Sequence, residues 1–286
     1  MTQIILGQVL NGTIIGTLYG MIALGVTLTF GITGIVNFAL GEFMMIGAYV
    51  TWHLTDVARL PYPVSCVLAV AVTAGAGFLA DRTMFRFTRN SLVNGLLVSI
   101  GLVSVIESAA LLVFTATPKS MDPVLTGAWT FGDVTVPRMR IVAFGALGTV
   151  MALTWAALAN TWLGRATRAY AQNPEAAALM GVRTGALQIG VSVYCCALAG
   201  VGGAVYAGLY SLEPSMGALY VLKGVEAAIL GGVGNLTGAL VGGVILGITE
   251  SVGSLYLPTA FRDAYGLLFL VAILLFRPSG LFGGQK

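Results

Sequence analysis

Residues 163–183, LGRATRAYAQNPEAAALMGVR, form the most polar continuous stretch of a chain that is otherwise largely lipid-compatible. The stretch carries Arg165, Arg168 and Arg183 and is flanked on both sides by long apolar segments. Asn173 is a helix N-cap residue, Pro174 suits the first helical position, and Glu175 complements the positive start of a helix. Ala176, Ala177 and Ala178 propagate that helix and Gly181 ends it. A short basic helical insert between two membrane spans is no core element. It is expected on the cytoplasmic face, where it can meet a soluble partner or act as a solvated amphipathic linker.

Composition agrees with that frame. Of 286 residues 57% are hydrophobic and 9% charged, and the mean hydropathy is +0.93. An ordinary soluble domain carries about 25% charged residues, so the chain reads as an integral membrane protein. The net charge of +3 is too small and scattered for a nucleic-acid partner. Cys66, Cys195 and Cys196 lie in apolar runs without a CxxC pattern, and His53 is the single histidine, which leaves no metal site or disulfide framework. Residues 1–10 lack a basic region and a small-residue cleavage site, so they are expected to begin the first span.

A span needs about 20 apolar residues. Segments near 6–30, 37–54, 62–80, 92–116, 140–161, 187–211, 216–234, 236–256 and 263–276 meet or approach this. With no β-barrel alternation, the fold class is all-α: a polytopic membrane protein of about eight or nine transmembrane helices, residues 1–286 forming one transmembrane domain. Arg82, Arg86 and Arg89, then Arg165, Arg168 and Arg183, then Arg277 and Lys286 fall on one side, which the positive-inside rule makes cytoplasmic. The N-terminus is then outside and the C-terminus inside. Loop 117–139, with Lys119, Arg138 and Arg140 set against Asp122 and Asp133, is expected outside.

Glycines at four-residue spacing, Gly12, Gly16 and Gly20 and again Gly234, Gly238 and Gly242, are expected to let helices approach closely. Segment 37–50 echoes segment 220–233: each is a glycine-interrupted helix with a glutamate, Glu42 or Glu226, near its middle. An inverted repeat with broken helices would produce such a pair, and chance similarity between Gly/Ala-rich helices would also do so. Ionisable residues inside spans are costly and stand as functional candidates. Among Glu42, Glu107, Lys223, Glu226 and Glu250, Glu42 draws most interest, because it follows Asn37 and Gly41 where the chain re-enters the membrane. Lys223 and Glu226 share a helix face and can neutralise each other. Glu250, toward the outer end of its span, is expected to reach water. No nucleophile–base pair and no Walker A pattern occur, so the chain reads as neither an enzyme nor an ATP-binding protein.

The stretches GTLYGMIALGVTLTFGITGIVNFALGEFMMIGAY, GRATRAYAQNPEAAALMGV, AILGGVGNLTGALVGGVILGITE and RPSGLFG, in this order, resemble the permeases of branched-chain amino acid ABC importers, specifically the smaller of the two membrane subunits. Leu40 departs from the pattern, where many relatives carry His. The resemblance implies a bacterial inner-membrane permease that pairs with a second, larger permease, two ATPases that bind ATP and Mg, and an extracytoplasmic binding protein. No cofactor is expected on this chain itself. It also implies alternating access and an ATPase-docking segment over Arg168–Gly181, with Asn173, Glu175, Ala176 and Ala177 in it. Asn37, Gly41, Glu42 and Glu226 are the translocation-path candidates read from the residues themselves. Relatives that carry urea, short amides or aromatic acids share the architecture. An ion-coupled secondary transporter is the alternative from a different class, and a docking segment for an ATPase argues against it.

Overall fold

The computed structural model describes residues 2–87, 91–131, 134–256 and 262–283; Arg89, Asp133 and Lys286 lie outside them. Eleven helices are found among the described residues: α1 (Thr2–Thr33), α2 (Leu40–Trp52), α3 (Tyr62–Thr83), α4 (Leu92–Phe114), α5 (Arg138–Asn160), α6 (Trp162–Gln172), α7 (Pro174–Leu179), α8 (Thr184–Ala207), α9 (Met216–Gly231), α10 (Leu236–Gly253) and α11 (Arg262–Phe276). A two-stranded antiparallel hairpin, β1 (Ala128–Phe131) and β2 (Val134–Pro137), interrupts the α4–α5 connection. Among the described residues six helices, α1, α3, α4, α5, α8 and α10, are long and apolar enough to cross a membrane. Helix α11 is a shorter apolar one.

The segments expected at 37–54 and 216–234 behave differently from the long six. Helix α2, extended by a π-helical turn over His53–Val57, is about 27 Å long, and α9 is about 24 Å. Neither starts at a surface. Leu40, the first residue of α2, packs beside Gly25 of α1 and near Cys195 of α8, well inside both helices. Near its own start, α9 sets Tyr220 against Tyr19 with ring centroids 5.9 Å apart, and Gly224 abuts Ile22, both midway along α1. The two helix starts meet: a Cβ on Gly41 would overlap the carbonyl of Gly217.

The glycine rows explain how α1 lies so deep. Gly12 and Gly16 face Gly247, Gly243 and Val244 of α10, and a Cβ on Gly12 would come within 2.7 Å of the Gly247 carbonyl oxygen. Backbones approach here as they do at small-xxx-small seams in lipid. Gly20 packs against Leu240 of α10 and Met151 of α5. Gly238 and Gly242 pack against Gly231 and Ala227 of α9. Gly234 does not belong with them. It precedes α10, has φ +88° and meets nothing within 4 Å, so its role is the left-handed turn between α9 and α10.

The packing maps onto itself when α1 is exchanged with α8, α2 with α9 and α3 with α10. Helix α1 packs on α9 and α10, α8 packs on α2 and α3, α2 packs on α3 and α9 packs on α10. The connections sort to two ends. At one, the α1–α2 link, the α3–α4 link, α6, α7 and the start of α8 surround a common cavity. Leu281 and Phe282 cap the nearby end of α9 by donating to the Leu230 and Gly231 carbonyls. At the other, Lys119 bridges to Leu212, the Asp122 amide donates to Asp56, Tyr62 donates to the Ala204 carbonyl (3.0 Å), and Arg140 donates to Asn11 (2.8 Å).

Candidate functional site

The polar stretch 163–183 folds as two helices, the second starting at the expected Asn173 cap. Helices α6 and α7 are separated at Asn173, whose extended backbone (φ −154°, ψ 104°) breaks the first and caps the second. Its Oδ1 accepts from the Glu175 and Ala176 amides, both at 3.0 Å. Gly181, at φ +87°, makes the turn back into α8. Only a residue without a side chain adopts that conformation cheaply.

Burial divides the expected docking residues. Glu175, Ala176 and Gly181 are exposed, as a partner-facing surface requires. Ala177 is not: it is 3% exposed and packs with Ile32, Ala166, Tyr170 and Leu187, so it seats α7 on the bundle and cannot face a partner. Arg168 donates to the Leu158 carbonyl at 2.6 Å, which ties α6 back to α5. Leu179 and Met180, which the sequence reading passed over, are 89% and 86% exposed. An adjacent apolar pair at the end of a polar stretch is the signal in the sequence that marks them.

Inside the bundle Glu42 and the Lys223 group stand at two separate sites, while buried Asp81 of α3 lines the cavity beside Asn37. Glu42, in the first turn of α2, is fully buried, and neither carboxylate oxygen has a hydrogen-bond partner among the described residues. The carboxylate lies against Gly217, where an added Cβ would come within 2.7 Å of its Cδ, and Glu107 of α4 acts on it as a like charge. The positive starts of α2 and α9 are what the site offers a carboxylate instead. Asn37, also buried, shapes the link into α2 by accepting from the Ala39 amide at 3.0 Å.

Glu226 belongs elsewhere. It stands nine residues beyond Gly217 on α9, roughly 13 Å along the helix. There Lys223 Nζ meets Glu250 at 2.8 Å, Asp263 at 3.2 Å and Glu226 at 3.3 Å, and Tyr19 donates to Glu250 at 2.9 Å. Glu250 therefore does not reach water; it is completely buried, and its burial is offset by this network. Gly266 lets α11 close over the network, since a Cβ there would come within 2.9 Å of Glu250. Among the described residues no group of acids, histidines or cysteines has metal-binding geometry.

The molecule thus combines a bundle of long apolar helices, two shorter helices that meet at their starts and an exposed α6–α7 projection. The family model for the permease component of the branched-chain amino acid transport system matches residues 8–277. The chain belongs to this family. It is 30% identical to the high-affinity branched-chain amino acid transport system permease protein LivH of Escherichia coli K12, over 97% of this chain and 95% of that one. It is 32% identical to BraD of Pseudomonas aeruginosa, a permease protein of the same description, with the same coverage. A shorter match, 27% identical over 53% of this chain and 48% of the relative, reaches the ribose import permease protein RbsC of Bacillus subtilis. No solved structure matches the chain. As a transport permease component of this family, the chain is a polytopic helical membrane protein.

Proposed function

We propose that this chain is one of two membrane-spanning permeases of an ABC importer for leucine, isoleucine and valine in a bacterial inner membrane. The observation that carries the reading is the α6–α7 projection: a capped helix, tethered by Arg168 and Ala177, that offers Glu175, Leu179 and Met180 to a partner. A self-sufficient ion-coupled carrier has no use for such a knob. The partners are a second permease, two ATPases that hold ATP and Mg, and an extracytoplasmic binding protein that supplies most of the specificity. The projection end, which carries Arg82, Arg86, Arg165, Arg168, Arg183 and Arg277, is cytoplasmic by the positive-inside rule. The N-terminus is then outside and the C-terminus inside.

In this scheme ATP binding closes the ATPase pair and moves α6 and α7. Pro174 of α7 and Tyr170 of α6 line the same cavity as Asn37, so their motion is delivered to the link that feeds α2. Asn37, Gly41 and Glu42 form the moving edge of the path, and Glu226 acts in the fixed network. Uptake of labelled leucine in cells lacking this chain tests the reading, with urea, short amides and aromatic acids as competitors in the parent strain. Loss of uptake, blocked only by branched-chain competitors, supports it; unchanged leucine uptake overturns the substrate assignment.

A further inference from the structure

At the projection end, α5, α6 and α8 leave an apolar groove of about 460 Å³ between them. Leu28 of α1 forms its floor, and Leu158 and Leu187 form buried walls. Its deep end is closed where Tyr194 of α8 and Thr154 of α5 share a hydrogen bond at 2.6 Å. At its mouth stands Arg183, which is exposed and whose guanidinium has no partner among the described residues. Trp162, 56% exposed, stands at the same level, where tryptophans anchor helices at a membrane surface.

The dimensions and the charge point to one occupant. From Arg183 to Tyr194, α8 rises roughly 16 Å. One leaflet of hydrocarbon is about 15 Å thick, half of a ~30 Å core. The groove is therefore as deep as an acyl chain is long, nearly all apolar inside, and cationic only at the mouth. We propose that it holds one acyl chain of an anionic phospholipid, with the headgroup phosphate at Arg183. Leu163, Thr167 and Gly181 also line the groove, so the lipid packs against both roots of the α6–α7 projection. It is then part of the seating through which the projection moves the spans.

Native mass spectrometry of the full chain with its partner permease, titrated with dioleoyl phosphatidylglycerol or dioleoyl phosphatidylcholine, tests the site. The wild type is expected to retain one phosphatidylglycerol per chain roughly fivefold more tightly than phosphatidylcholine, the effect of one basic side chain at an anionic headgroup. Arg183→Gln should erase the headgroup preference and keep the weaker retention of either lipid. Gly190→Leu fills the groove where a Cβ meets nothing within 4 Å, and improves helix propensity. It should abolish retention without lowering the melting temperature. Absence of a preference in the wild type, or wild-type retention by Gly190→Leu, overturns the proposal. So does separation of the permease pair by Gly190→Leu with lipid retention unchanged, which would make the groove a subunit interface. The proposal rests on the proposed function for the cytoplasmic leaflet and for the partner permease present in the test. Because lipid retention is measured without transport, the two readings fail separately.

Discussion

Helices α2 and α9 occupy matching places in the packing scheme, yet they treat buried charge in opposite ways. On α9, Lys223 is held by Glu226, Glu250 and Asp263, and the network ties four helices together. On α2, Glu42 has equal burial and no hydrogen-bond partner among the described residues. A paired buried charge resists displacement because separating the pair exposes uncompensated groups. An unpartnered one holds its helix by nothing it would lose. The difference is one of anchoring: ion pairs hold α9 to its neighbours, and among the described residues nothing of the kind holds α2.

The largest test of this contrast is Lys223→Met. It leaves three carboxyl groups around an apolar side chain, and breaking a buried pair in this way costs about 3–5 kcal/mol. The variant should show a strong fall in melting temperature or in recovered folded protein. A melting temperature equal to wild type would remove the claim that α9 is anchored by charge.

Next in size are the glycines where the two helices meet. A methyl group at Gly41 would strike the Gly217 carbonyl, which is backbone, whereas one at Gly217 would strike the end of the Glu42 side chain. Overpacking costs about 1–3 kcal/mol. Gly41→Ala is expected at the upper part of that range and Gly217→Ala at the lower, because a side chain gives way more readily than a carbonyl. The reverse order, in parallel thermal melts, would mean that the Glu42 carboxylate is held more firmly than its missing partners imply.

Glu42→Gln sharpens the contrast from the other side. With no hydrogen bond to lose and a like charge nearby, its stability should change by less than about 1 kcal/mol. Leucine uptake should nevertheless fall several-fold at unchanged membrane abundance. Normal uptake would place Glu42 outside the path and leave its burial without a functional reason.

Much of this was legible before any coordinates. Apolar run lengths located the long helices, and the Asn173-Pro174-Glu175 signal located the start of α7, because both depend on local chemistry. The Gly12–Gly16–Gly20 row predicted a close seam, but not that its partner would be Gly243 and Gly247, since spacing on one helix says nothing of which helix lies opposite. Glu250, expected at water, is buried for the same reason: its partners Lys223 and Tyr19 are distant in sequence. Gly234 continued the four-residue rhythm while standing in a turn, a limit of reading spacing without φ. The β1–β2 hairpin differs from the loop expected there: its charges and prolines say nothing of strands, and the β-branched Val134, Thr135 and Val136 carry that signal.

The most local test asks whether α2 is coupled to the projection. Asn173→Ala removes the acceptor for two amides of α7 and should cost about 1 kcal/mol of local stability. Amide exchange at Glu175 and Ala176 should then speed up roughly fivefold, since 1.4 kcal/mol is a factor of ten. Through the cavity shared by Pro174 and Asn37, a smaller acceleration should appear over the link into α2. None should appear in α9 or α10, whose charges are paired within the bundle. If α9 loosens as much as α2, the two helices are one rigid unit and the contrast between Glu42 and Lys223 concerns stability alone. If neither responds, the projection moves independently of the broken helices, and the route from α7 to the path must run through α8.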